Sequence, residues 1–155
     1  MIEWLAASPL SQLLGAHKWI TPALQTVHIL AIAALMASVL VVDLRLLGVG
    51  GEAGTLRQVT SRYLAWIWRA LAVLALSGAL LVVGEPAREL ANWVFLLKMG
   101  MVTTAAALTA LAQRPIRRGA EASPQRRPPW SPAFAALSLV LWVGVVLAGR
   151  WIAYV

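Results

Sequence analysis

Three polar side chains, His28, Lys98 and Arg150, interrupt apolar stretches of this sequence and belong to residue types that hold cofactors. A neutral imidazole is a good ligand for haem iron or for copper. Two cationic side chains beside it suit the propionates of haem or another anion. Gln25 precedes His28 by about one helical turn, so its amide can hydrogen-bond the second ring nitrogen. We therefore take these four residues as the candidate cofactor-binding site, with His28 as the candidate metal ligand.

A second group of ionisable side chains lies at the far end of the first apolar stretch and around the start of the next. It comprises Asp43, Arg45, Arg62 and Arg69. An isolated charge inside a bilayer is costly, so charges there are expected to pair. We predict a structural ion pair between Asp43 and Arg62 or Arg69, which lie at a similar depth, and Arg45 is a further candidate partner. The arginines also signal topology.

The elements that position these residues are four long apolar stretches, and the composition indicates a membrane protein. The chain is 61% hydrophobic and 12% charged, whereas soluble domains carry about 25% charged residues. About 20 apolar helical residues cross the hydrocarbon core of a bilayer. The predicted spans are residues 21–47, 63–83, 93–111 and 132–155, after a short interfacial helix within residues 1–20. The predicted fold is an all-α integral membrane protein, an antiparallel four-helix bundle forming one domain over residues 1–155.

Short polar signals mark where the helices are expected to begin. Serine or threonine followed by proline is typical of a helix start, and this pair occurs at Ser8, Thr21 and Ser131. Asn92 is positioned to cap the third span. Residues 113–129 are rich in arginine and proline and lack apolar periodicity, which predicts a flexible loop.

The loops between the spans predict the orientation of the bundle. Residues 48–62 and 113–129 hold most of the arginines, and the positive-inside rule places such loops in the cytoplasm. Both termini and the short loop after the second span then face outward. The net charge of +7 is explained by these loops, so the expected partner is the lipid bilayer and not nucleic acid. The chain has no cysteine, which excludes disulfides and thiolate sites.

Depth along each span can be counted at about 1.5 Å per residue from the predicted outer ends. This count places His28 about 10 Å deep, and Lys98 and Arg150 each about 8 Å deep. Three polar groups from three helices thus share one layer in the outer half of the membrane. Asp43 and the arginines near it form a second layer on the inner side.

Simpler interpretations of the same residues stay open. A histidine within a span is often a hydrogen-bonded packing group, for which Gln25 is a ready partner. Lys98 and Arg150 can extend their charged ends to the outer headgroups. Arg150 also lies about 100° around its helix from the face that carries Ser138, Trp142 and Gly149.

Three segments carry a resemblance to known families: HILAIAALMASVLVVDLRLLG, WVFLLKMG and SLVLWVGVVLAGRWIAY. They resemble a family of uncharacterised bacterial four-helix membrane proteins over essentially the whole chain. More distantly, His28 and Lys98 are similar in position to a histidine and a lysine of the copper-resistance-D-like superfamily. That superfamily includes the haem-containing J-type protoporphyrinogen oxidase. The resemblance implies a bacterial inner-membrane protein, with His28 as haem ligand and Lys98 as a catalytic or propionate-binding lysine. The sequence WVFLL before Lys98 departs from the oxidase, whose tryptophan- and histidine-containing segment is absent.

These observations lead to one main functional hypothesis and two rivals. The main hypothesis is a b-type haem site on His28 with a redox or electron-transfer role. The first rival is transport of copper or another small solute along the same polar layer. The second is a non-catalytic structural membrane subunit, in which the charges set topology and assembly. Whether the chain is an enzyme is left open, and a second copy of the chain is a candidate partner.

Overall fold

A computed structural model describes residues 2–49, 55–90, 92–122 and 129–151, and it contains only helices within them. They are α1 (Ile2–Ala6), α2 (Pro9–Ala16), α3 (Ile20–Leu47), α4 (Leu56–Gly84), α5 (Pro86–Leu90), α6 (Trp93–Ala122) and α7 (Ser131–Trp151). Four of these helices, α3, α4, α6 and α7, are long and apolar enough to cross a membrane. The predicted all-α bundle is therefore confirmed, and its environment is a lipid bilayer.

Local chemistry explains most helix ends. The Ser8 hydroxyl accepts from the first turn of α2, and the side-chain oxygen Oδ1 of Asn92 accepts from Val94 N–H in the first turn of α6, as the sequence predicts. Thr55 and Gln58 form a reciprocal capping box at the start of α4. Gly48 ends α3 with φ of 89°, a left-handed conformation that costs glycine little.

Several boundaries differ from the sequence prediction. The α3 helix begins at Ile20, so Thr21 lies inside the first turn and does not cap it. The α4 helix begins at Leu56 and not near residue 63, because the Thr55 capping box stabilises that earlier start. Residues 152–155, included in the predicted fourth span, lie outside the described residues.

The largest difference concerns α6, which continues to Ala122 where the sequence predicts a loop from residue 113. Alanine and arginine are strong helix formers, and they are frequent in this segment. Pro115 removes one backbone donor but does not end the helix. The connection between the third and fourth spans is therefore shorter than predicted.

The spans pack in the order α4, α3, α7, α6, and α6 makes few contacts with α4. The core includes a stripe of α3 formed by Leu35, Val39, Val42 and Leu46, which packs with Ile67 and Trp142 among others. We call the end of the bundle that carries α1, α2 and α5 the α5 end, and the opposite end the Arg45 end. At the Arg45 end, the Ser131 hydroxyl donates to the Leu46 carbonyl at 3.2 Å and joins the start of α7 to the end of α3.

Large apolar side chains cover the outside of the spans, including Leu76, Leu96, Leu111, Val140 and Leu147. So large an exposed apolar surface is not stable in water, whereas lipid tails solvate it well. The arrangement therefore fits a multi-pass membrane protein.

Candidate functional site

The histidine of the candidate site is fixed by a serine on the neighbouring helix. His28 Nδ1 lies 2.8 Å from Ser77 Oγ, and the Ser77 hydroxyl donates to the Val73 carbonyl at 2.7 Å. Because that hydroxyl hydrogen is already used, Ser77 Oγ accepts from His28, and Nδ1 carries the ring proton. In the neutral imidazole the other nitrogen, Nε2, then keeps its lone pair.

A glycine next to the serine lets the ring approach α4. A Cβ placed on Gly78 would lie 3.5 Å from His28 Cε1, so the imidazole occupies the space that a side chain would take. Ser77 is buried, with 4% of its surface exposed, and His28 is half-buried. The pair Ser77–Gly78 thus provides both the acceptor and the surface for one edge of the ring.

Lys98 on α6 belongs to the same region. It is half-buried, and its positive charge lies close enough to act on the His28 imidazole. A Cβ placed on Gly149 of α7 would lie 3.5 Å from Lys98 Nζ and Cε, so the lysine packs across that helix. The two residues that carry the site hypothesis therefore lie near each other, although 70 positions separate them in the sequence (98 − 28).

The other two predicted site residues lie further out. Gln25 is exposed and lines a cavity of about 90 Å³ with Thr21 and Glu85 near the α5 end. Since Ser77 fixes His28 Nδ1, the prediction that Gln25 holds the ring is corrected. Arg150 is exposed near the end of α7, one residue beyond the glycine that Lys98 contacts.

The second predicted group also needs a correction. Asp43 is buried, with 2% of its surface exposed, and it accepts a hydrogen bond from Ser138 on α7. Arg62 is exposed, and the exposed Arg69 guanidinium lies 5.6 Å from the ring centroid of Trp66. The predicted ion pair of Asp43 with Arg62 or Arg69 is therefore not formed, because both arginines lie on the outer surface of α4. Arg45 is half-buried near the end of α3.

Sequence reasoning missed the two serines that contact the ionisable groups. In the sequence, Ser77 and Ser138 are small residues of the kind that suits close helix packing. No spacing signal links Ser77 to His28 or Ser138 to Asp43, because each pair joins different helices. The sequence contains one indication of these contacts: a hydroxyl side chain within a span lies at about the same depth as an ionisable side chain on another span.

No group of three or more histidine, cysteine, aspartate or glutamate side chains suited to one metal ion occurs within the described residues. His28 is thus a single strong nitrogen donor with a fixed ring. The methyl group of Met101 packs against Gly144. The arrangement can hold a group that needs one protein ligand better than a bare ion that needs three or four.

Replacing Ser77 with alanine is expected to destabilise the protein by about 1–3 kcal/mol, because the half-buried Nδ1–H of His28 loses its acceptor. Reversible unfolding in a mixed detergent system measures the change. Ser61→Ala is the matched control, since Ser61 is exposed on the same helix and donates only to the Gln58 carbonyl. Equal effects of the two substitutions would contradict the assigned role of Ser77.

Comparison with known proteins gives a family but no activity. The model of a family of unknown function, DUF6644, matches residues 1–155. No curated protein and no solved structure matches the chain. The resemblance to an uncharacterised family is thus confirmed, whereas the more distant resemblance to the copper-resistance-D-like superfamily gains no support.

Proposed function

The chain belongs to this family of unknown function, and we propose that it binds b-type haem through His28 Nε2 and has a redox or electron-transfer role. The observation that carries the proposal is the hydrogen bond from His28 Nδ1–H to Ser77. Histidines that ligate a metal typically donate their other N–H to a fixed acceptor, which sets the tautomer and the ring orientation. Ser77 supplies that acceptor from a neighbouring helix.

The ligand set favours haem over a bare copper ion. Haem iron receives four nitrogens from its own porphyrin, so one histidine is sufficient to hold it at an axial position. Copper bound by protein alone needs further ligands, and the described residues contain no group of three or more histidine, aspartate or glutamate side chains suited to a metal ion. Haem, when bound, supplies one-electron chemistry. Copper or small-solute transport is the second candidate, because the same polar residues would line its path.

The residues around His28 can assist such a cofactor. The imidazole packs on Gly78, where α4 presents no side chain to the ring. Lys98 adds a positive charge beside the site, which suits a haem propionate. The resemblance to the copper-resistance-D-like superfamily rests on the same two residues, His28 and Lys98. By this resemblance the proposed redox role includes that of a membrane haem enzyme, with no substrate assigned.

The proposal is tested by the visible absorption spectrum of the full chain purified from a haem-sufficient bacterial membrane. A Soret band and a pyridine-haemochrome stoichiometry near one haem per chain are expected. Copper is measured in the same sample. Protein without haem would overturn the haem assignment, and stoichiometric copper would favour the transport candidate. Absence of both would favour the structural-subunit interpretation.

Replacing Lys98 with methionine separates two roles of the lysine. If the ammonium group binds a propionate, Lys98→Met weakens haem retention and leaves the spectrum unchanged. If the neutral amine is the second axial ligand, the substitution converts a low-spin spectrum to high-spin. Lys18→Met, at the exposed and only other lysine, is the matched control and is expected to change neither property. Unchanged haem content and spectrum in Lys98→Met would exclude the lysine from the site.

We infer that the Arg45 end faces the cytoplasm of a bacterial inner membrane, with both termini outside. The inference is supported by the arginines of residues 48–62 and 113–129, which lie at that end of the spans. Because the chain has no cysteine, Glu121→Cys introduces a single reactive thiol. A membrane-impermeant maleimide is expected to label it only after the cells are opened. Labelling in intact cells would reverse the orientation.

A further inference from the structure

A second polar site lies near the Arg45 end, away from His28. Asp43, Thr109 and Ser138 contribute the polar groups to a cavity of about 10 Å³ between the four spans. The remaining lining is apolar: Val39, Val42, Leu64, Ile67, Ala112 and Phe134. The Asp43 atom Oδ2 is buried and has no hydrogen-bond partner within the described part of the chain. A space of this size corresponds to roughly one water molecule.

The groups that face Asp43 do not balance a negative charge. The α4 helix presents Leu64 and Ile67, α6 presents Thr109 and Ala112, and α7 presents Phe134 and Ser138, all uncharged. On its own helix the nearby charged residue is Arg45, which does not line the cavity. A carboxylate desolvated in this way needs a counter-charge, and either a proton or a small cation can supply it.

The hydroxyls of the cavity favour a proton over a cation. The Ser138 hydroxyl donates to Asp43, and the Thr109 hydroxyl donates to the Ala105 carbonyl at 2.8 Å. A sodium-sized ion needs several oxygen ligands around it, but most of this cavity is lined by carbon. A proton needs only one unpartnered oxygen, and Asp43 Oδ2 supplies it.

Buried polar atoms without partners continue from this cavity in both directions. Thr60 Oγ1 lies one turn from Leu64, and Gln113 Nε2 lies one turn from Thr109, both toward the Arg45 end. Trp142 Nε1 lies one turn beyond Ser138, toward the middle of the bundle. Within the described residues, these atoms and Asp43 Oδ2 give one buried side-chain atom without a hydrogen-bond partner on each spanning helix. Such groups normally bind water.

We propose that Asp43 is a proton-binding site of the inner half of the bundle, reached through water from the Arg45 end. A hydronium ion at that end gives up its proton, an O–H bond forms at Asp43 Oδ2, and the carboxylate becomes a neutral acid. Release breaks the same O–H bond and returns the proton to water. This site is independent of the proposed haem, because it shares no residue with the His28 region.

The sequence offers a direct test, since Asp43 is the only aspartate in the chain. Full-length protein labelled with 13C-aspartate and placed in lipid nanodiscs gives one side-chain carboxyl resonance by solid-state NMR. The expected chemical shift is that of a neutral acid, upfield of a carboxylate. Asp43→Asn removes the resonance, identifies it, and is expected to keep the thermal stability because its amide oxygen still accepts from Ser138.

Two results would overturn the proposal. A carboxylate shift that changes when sodium is replaced by potassium would make the cavity a cation site. A carboxylate chemical shift that is the same in sodium and in potassium would indicate an ion pair in the membrane.

The route of the proton is tested by deuterium exchange of the acid proton, followed in the infrared carbonyl band. Slower exchange is expected in Gln113→Leu, and exchange unchanged from wild type would exclude entry from the Arg45 end. Neither measurement depends on haem content.

Discussion

Replacing His28 with alanine is expected to abolish haem binding by the purified protein. The hydrogen bond to Ser77 orients the His28 ring against α4 and leaves the lone pair of Nε2 for a metal. In the proposed function His28 is the protein ligand of the haem iron, so alanine removes that ligand. Pyridine-haemochrome stoichiometry, measured on wild type and variant after identical expression and purification, gives the loss directly.

His17→Ala is the matched control, because the chain contains only these two histidines. His17 is exposed at the end of α2, with Nδ1 3.3 Å from the Leu13 carbonyl. We expect full haem occupancy in this variant. Loss of haem in His17→Ala with retention in His28→Ala would identify His17, next to α2, as the ligand. Retention of haem in both variants would show that neither histidine is the ligand.

Replacing Trp142 with alanine is expected to cause the largest loss of stability. The side chain is 1% exposed and belongs to the core cluster in which α3 and α4 meet α7. Truncating a fully buried aromatic residue leaves a cavity and typically costs about 3–5 kcal/mol. Reversible unfolding in mixed micelles, monitored by tryptophan fluorescence and circular dichroism, measures the difference.

The same helix provides the control for this prediction. Trp151 is 63% exposed near the other end of α7, so Trp151→Ala removes an equal volume without opening a core cavity. Its effect on the free energy of unfolding is expected to stay within about 0.5 kcal/mol, as for other surface substitutions. Similar losses in both variants would show that Trp142 is not part of a packed core.

The sequence by itself determined the class of protein and the order of the polar groups along each span. Four apolar runs of spanning length allow few other structures, because a helix satisfies its own backbone groups in lipid. Depth along a span is a one-dimensional property that follows from residue counting. For this reason the sequence predicts one layer for His28 and Lys98, although they are 70 positions apart (98 − 28).

Only the tertiary structure decided which side chains contact each other across helices. Ser77 holds His28 in place of Gln25, and Ser138 meets Asp43 in place of an arginine. The rotation of each helix about its axis determines these partners. That rotation depends on how small residues such as Gly78, Gly144 and Gly149 let neighbouring helices and side chains approach. Large apolar side chains cover much of the outer surface of each span, so the hydrophobic pattern along one span does not specify which face meets which neighbour.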